Sequence, residues 1–248
     1  MDLGIAGRTA AVAAASEGLG LATARALVEA GCRVAICGRH GDKVDAAVAA
    51  LGGAAIGQVA DVGTPEGAAA WVQQATEALG RIDILVPNCG GPPRGTFEST
   101  PMEAYLPALN MNLLSTVAMV GATVPEMQRR GWGRVCAITS MSVRQPIPEL
   151  ILSNTARAGV TGYLKTVALE VAKDGVTVNT IQPGIHRTSR LASLRSDDLE
   201  QMASAVPAGV IGEAADFGNV VAFFCSEHAR FVTGASLPVD GGAVRALL

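Results

Sequence analysis

Short runs of β-branched and small apolar residues alternate along this chain with longer stretches of helical period, and that alternation restricts the fold more than any other feature. Thr9–Ala14 reads as a first strand. A helix over Gly18–Ala30 follows, with Ala22, Ala26, Leu27 and Ala30 on one face and Gly31 at its end. Further strands are expected at Arg33–Cys37, Ala54–Val59, Asp83–Val86, Gly133–Thr139, Val176–Ile181 and Leu237–Val239. Helices are expected at Asp42–Leu51, Pro65–Leu79 with Thr64 as cap, Tyr105–Arg130, Asn154–Lys173 closed by Gly175, and Ala214–Cys225. Parallel strands need a crossover between them, normally a helix. The pattern therefore implies a doubly wound, Rossmann-type α/β fold: a parallel seven-stranded sheet with helices on both faces. No composition break marks a linker and no repeat occurs, so residues 1–248 read as a single domain. Thr188–Val206 is polar and loop-like.

Composition fits buried parallel strands: 49% of residues are hydrophobic, much of that share Ala, Val, Leu and Ile, and only 4% are aromatic. A formal net charge of −3 gives no positive field to draw in nucleic acid or an acidic membrane surface. The five cysteines are scattered without a CxxC pair, and the three histidines lie far from any zinc spacing. They read as core thiols in a reducing compartment, with no metal. The start MDLGIAGRTAAV lacks the basic and apolar regions of a signal peptide. No apolar run free of charge and glycine is long enough to span a bilayer. The expectation is a cytoplasmic globular protein.

The segment Ala11–Gly20, AVAAASEGLG, joins the first strand to the first helix. Gly18 and Gly20 allow a tight turn that turns backbone N–H groups, with Ser16, Glu17 and Leu19, toward a pyrophosphate at the helix N-terminus. An NAD site normally carries an acid at the end of the second strand to accept ribose hydroxyls. Here the residues are Gly38-Arg39-His40, and a guanidinium at Arg39 suits the extra phosphate of NADP. The chemistry favours NADP over NAD. Glu17 argues the other way, because its charge would sit near that same phosphate.

These landmarks continue in one order along nearly the whole chain, which resembles the short-chain dehydrogenase/reductase family, in its 3-oxoacyl-[acyl-carrier-protein] reductase-like branch. AAASEGLG stands where the family has TGxxxGxG, with Ala14 at the first glycine, so that a Cβ would lie close to the pyrophosphate. Asp61-Val62 matches the pair that contacts adenine, and Pro87-Asn88-Cys89-Gly90 stands for NNAG. Asn112 in MNLLS and Ser140 in AITS match the active-site asparagine and serine. Val178-Asn179, then Pro183-Gly184-Ile185 and Thr188, match the run beside the nicotinamide, and Val239-Asp240-Gly241-Gly242 the closing segment.

One departure is serious. The family has Tyr-x-x-x-Lys beginning thirteen residues after the serine, the tyrosine being the general acid or base; here the positions hold Ser153 and Arg157, followed by AGVTG. One turn apart, they share a helix face. Arg157 keeps the charge that holds ribose hydroxyls, but with a pKa above about 12 it donates no proton at neutral pH, and a serine hydroxyl is too weak an acid. Three readings stay open. His186 can supply the proton, against the plainer view of an exposed loop histidine. Alternatively Ser140, Ser153 and Arg157 polarise the substrate oxygen while water delivers the proton. Or the fold serves a non-redox isomerase or lyase, or a non-catalytic dinucleotide-binding protein. Tyr163 lies two to three turns from Ser153 and is a poorer donor.

For the substrate, Thr188–Val206 reads either as a lid or as a solvated helix pair. Arg94 and Arg144 would place cations near the cleft mouth and suit an anionic small-molecule or acyl substrate, such as an acyl-carrier thioester or a carboxylate. Family members are usually homotetramers or dimers. The stripe Val160, Leu164, Val167, Val171 and the tail Ala243–Leu248 fit such homo-oligomer contacts, although the stripe equally suits a core.

Overall fold

The computed structural model describes residues 1–191 and 195–247. In chain order the strands are β1 (Thr9–Val12), β2 (Arg33–Gly38), β3 (Ala55–Val59), β4 (Ile84–Val86), β5 (Gly133–Ile138), β6 (Val176–Pro183), β7 (His186–Arg187), β8 (Gly212–Glu213) and β9 (Ser236–Val239). All but β7 and β8 form one parallel seven-stranded sheet in the order β3-β2-β1-β4-β5-β6-β9. Winding reverses between β1 and β4, and the crevice at such a point, outside the carboxyl ends of the strands, is where open α/β sheets bind ligands.

The helices are α1 (Gly18–Glu29), α2 (Gly41–Leu51), α3 (Pro65–Leu79), α4 (Tyr105–Leu109), α5 (Ser115–Arg130), α6 (Ile151–Val171), α7 (Ser196–Ser204) and α8 (Ala214–Phe224). Helices α1 and α8 pack together on one face of the sheet, where Leu27, Ile36, Ile181 and Phe217 are fully buried. On the other face α3, α5 and α6 cover Trp71, Leu85, Met119 and Leu164. Each fully buried side chain of this size contributes roughly 1.5–3 kcal/mol. Thr64 caps α3 as expected, its hydroxyl accepting from Gly67 N at 3.1 Å.

One expectation needs revision. The helix over Tyr105–Arg130 is interrupted: a wide turn with π-type hydrogen bonding occupies Asn110–Leu114, between α4 and α5. By length and composition Met102–Arg130 is long and apolar enough to cross a bilayer. In this fold its face of Met119, Val120, Val124 and Met127 is core. The stripe Val160, Leu164 and Val171 is likewise buried in the core, with Val167 packed against it, so core packing accounts for it. Apolar side chains left at the surface include Met102, Leu106, Leu169, Phe231 and Leu247; Leu248 lies outside the described residues. Within Thr188–Val206 a 3-10 turn at Ser189–Leu191 precedes α7, and residues 192–194 lie outside the described residues.

Candidate active site

The turn after β1 is held from three sides. Ala14 has φ 46°, in the left-handed region that disfavours a Cβ. Its N–H points to Cys37 Sγ (3.3 Å), Ala15 N donates to Cys37 O (2.8 Å), and the Asn88 side-chain amide donates to Ala13 O and Ala14 O, both at 3.2 Å. Asn88 therefore anchors the loop from the end of β4. The Ala14 methyl packs on the core, which is how the loop accommodates alanine at this position. Gly20 is obligatory: a Cβ there would lie 2.6 Å from Ala14 O. Gly38 is as tight, since its Cβ would lie 2.6 Å from Ser16 Oγ. The loop after β1 and the end of β2 thus touch.

The first bond of α1 runs from Leu21 N to Glu17 O, which leaves the N–H groups of Gly18, Leu19 and Gly20 outside the helical ladder. Arg39 is exposed just beyond β2. Glu17 Oε2 accepts from both Lys43 Nζ (3.2 Å) and Ser189 Oγ (3.0 Å). These two bonds, that to Lys43 first, hold the Glu17 carboxyl below its usual pKa. Neither Lys43 nor Ser189 stands out in the sequence, although Lys43 follows Arg39 by four residues.

Asp61 is exposed, its Oδ1 accepting from Gly63 N (2.9 Å), while Val62 is buried beneath it. Gly90 is exposed with open space where a Cβ would stand. Its carbonyl accepts from Asn112 Nδ2 at 2.8 Å. Asn112 sits inside the wide turn and is almost fully buried, and its Oδ1 has no hydrogen-bond partner. It lines a cavity of about 10 Å³ together with Asn88, Cys89, Thr116, Thr139 and Arg157. Burial pushes the Cys89 thiol up in pKa, and the nearby Arg157 charge opposes that rise.

Ser140 follows β5 with extended backbone and caps the short 3-10 turn Met141–Val143, its Oγ accepting from Ser142 N (3.1 Å). Helix α6 packs on that turn and carries both Ser153 and Arg157. Ser153 is buried in the first turn, and Arg157 donates from Nη1 to Ile138 O at 3.2 Å. Asn154 fastens the preceding loop by donating to Ile147 O (3.0 Å). Beyond β6, Gly184 is tight against Asp240 and donates to Val239 O, Ile185 O accepts from Gly212 N, and Thr188 lies beside Gly18.

His186 is neither exposed nor turned to the cleft. Its ring meets Phe217 in an edge-to-face arrangement (5.2 Å between centroids) and lies close enough to Gly212 that a Cβ there would be 2.8 Å from its Cδ2, with Nδ1 3.3 Å from Gly184 O. Burial lowers its pKa. The cations expected at the cleft mouth are also engaged: Arg144 donates to Gln182 Oε1 and Ser236 O, and Arg94 pairs with Glu149 at 3.5 Å.

A family model described as enoyl-(acyl carrier protein) reductase matches residues 13–244. The chain is 34% identical to dehydrogenase/reductase SDR family member 4 of Homo sapiens, over 96% of this chain and 88% of that one. It is 32% identical to the (2S)-[(R)-hydroxy(phenyl)methyl]succinyl-CoA dehydrogenase subunit BbsD of Thauera aromatica, covering 97% and 98%. Among solved structures, L-sorbose reductase of Gluconobacter frateurii, complexed with NADPH and L-sorbose, superposes with a TM-score of 0.93 at 29% identity, covering 100% of both chains.

Proposed function

The chain belongs to the short-chain dehydrogenase/reductase family, and from that premise we propose that it is an NADP(H)-dependent oxidoreductase interconverting a carbonyl and an alcohol on a small or acyl substrate. The observation that carries the reading is the phosphate loop: a turn locked by Asn88, too tight at Gly20 for a side chain, opening onto three N–H groups of α1. Such a loop is built for an anion. The NADPH in the L-sorbose reductase complex supports the same cofactor here.

Ser16 and the backbone of Glu17–Gly20 would hold the pyrophosphate, Asp61 and Val62 the adenine, and Arg39 the 2′-phosphate. Asn88, Gly90, Pro183, Gly184, Ile185 and Thr188 would line the ribose and nicotinamide. The bound cofactor supplies or accepts the hydride. Ser140, whose oxygen already accepts from Ser142 N, keeps its own proton for the substrate oxygen. Ser153 gives a second hydroxyl, and Arg157 a positive charge. Water delivers the proton in place of the family's tyrosine. With His186 packed under Phe217, the water route is the one the chain's residues favour. Asn112 fixes Gly90 and so positions the cofactor wall. The turn Ser189–Leu191 and α7 would border the substrate. The enzyme works as a homo-oligomer, tetramer or dimer, in the cytoplasm, where its five thiols stay reduced.

General acid–base catalysis contributes about 10²–10⁴-fold, so turnover without a tuned acid is slow. Titrating NADPH and NADH in parallel, then assaying a carbonyl and alcohol panel, tests the reading. Tighter NADPH binding and carbonyl-dependent NADPH oxidation are expected, with Ser153→Tyr plus Arg157→Lys raising the rate by at least about tenfold. Tight NADPH binding with no turnover across the panel would overturn it in favour of a non-redox enzyme or a binding protein.

A further inference from the structure

Around the end of β2 the charges form an arrangement that the function above leaves unused. Lys43, in the first turn of α2, reaches across to Glu17 of the phosphate loop, and the same carboxylate oxygen accepts from Ser189, 172 residues further along the chain. Arg39, exposed, directly follows β2 and precedes Lys43 by four residues. Both Glu17 and Lys43 are about half exposed, at 51% and 48%.

We propose that Lys43 is a second cation for the 2′-phosphate of NADP(H), and that Glu17 is a positioning residue that holds it at the phosphate loop until the cofactor arrives. The inference rests on the NADP(H) reading of the site. Ser16 already presses on Gly38, so the loop and the end of β2 form one junction. A phosphate lodged there meets Arg39 from the strand side and Lys43 from the helix side. A bare carboxylate in that loop would repel the phosphate. Its pairing with Lys43 cancels that charge before binding. An exposed pair of this kind shifts an equilibrium by about fivefold at most. A charge-assisted bond from an ammonium to a phosphate is worth roughly tenfold or more. The ammonium therefore passes from Glu17 to the phosphate, and Glu17 keeps Ser189, holding the segment after β7 over the loop. The Glu17 charge that seemed to favour NAD thus becomes part of an NADP device.

Calorimetric titration of the full chain with NADPH, NADH, adenosine 2′,5′-bisphosphate and ADP tests this without any assay of turnover. Lys43→Gln is expected to weaken NADPH and the bisphosphate about tenfold while NADH and ADP change by less than about twofold, and Lys43→Arg is expected to retain the preference. Glu17→Gln is expected to tighten NADPH by up to about fivefold. It is also expected to raise the NADPH-to-NADH ratio once Lys43 is already glutamine, because the carboxylate left bare then repels the 2′-phosphate. Equal loss for both dinucleotides in Lys43→Gln, no loss for either, or a Glu17→Gln change that leaves the NADPH-to-NADH ratio unmoved both with and without Lys43 would overturn the proposal. A wild-type chain that prefers NADPH while Lys43→Gln is neutral removes this inference alone. A wild-type preference for NADH removes the NADP(H) reading and the inference with it.

Discussion

Ala14 is the residue in the loop after β1 under most backbone strain. A left-handed conformation costs a non-glycine residue roughly 1–2 kcal/mol, and at φ 46° Ala14 bears that cost. Glycine would relieve it but would lose about 0.5–1 kcal/mol through the freer unfolded chain. Ala14→Gly is therefore expected to stabilise the protein by some tenths to about 1 kcal/mol, read as a higher urea midpoint at unchanged slope; a lower midpoint would mean that the methyl's packing on the core outweighs the strain. At this scale the sequence carries whatever depends on local residue type. Gly18 and Gly20 are visible because a tight turn admits little else, and Arg39 because no acid stands beside it. Residues that act through distant partners leave no such trace. Glu17 and Ser189 are joined only by folding, and His186 owes its burial to Phe217 and Gly212 rather than to its neighbours in the chain.

The seven strands of the main sheet and most helices are legible within one or two residues, because β-branched runs and glycine stops act locally; β6 gains Gln182 and Pro183 through pairing with β9, and the two-residue strands β7 and β8 leave no local signal. The break between α4 and α5 is not legible. MNLLS continues the helical period, and a widened turn changes the hydrogen bonding without changing the composition. α7 is half legible: its polarity reads as loop or as solvated helix, and Asp197 and Asp198 form the acidic first turn that helices favour. The break matters because it turns Asn112 toward Gly90. Asn112→Ala removes that bond but also removes a buried, unpartnered Oδ1, and Gly90 is exposed enough for water to replace the lost donor. The stability cost should then be only about 0.5–1 kcal/mol. Dinucleotide affinity should fall more, by about tenfold, because the Gly90 wall is no longer fixed to the helix. Calorimetry on the variant checks this; unchanged affinity would show that Gly90 holds its place without Asn112.

At the scale of the whole molecule, the sheet's last turn depends on a neutral histidine. His186 in β7 joins the segment after β6 to β8 and to Phe217 of α8, and its burial lowers its pKa. The hydrogen-bonding contact with Gly184 O and the charges of Asp216, Asp240 and Glu213 oppose that shift without cancelling it. The unfolded chain therefore takes up a proton near pH 6.5 that the folded protein refuses until lower pH. Between those two values the unfolded state binds more protons, so stability falls as pH falls, by at most about 1.4 kcal/mol per pH unit. Above the unfolded value the contribution is complete and the slope vanishes. Urea midpoints measured from pH 7.5 down to 5.0 should be flat above about 6.5 and decline below it. Carboxylates paired in the fold add their own loss toward the acid end, so the histidine's share is isolated by comparison with His186→Gln. That variant is less stable at pH 7.5, having lost the ring's contacts with Phe217 and Gly212, yet its profile between pH 6.5 and 5.5 is shallower. Parallel profiles for the two proteins would mean that His186 does not drive the acid sensitivity, and that the fold meets its protonated ring without strain.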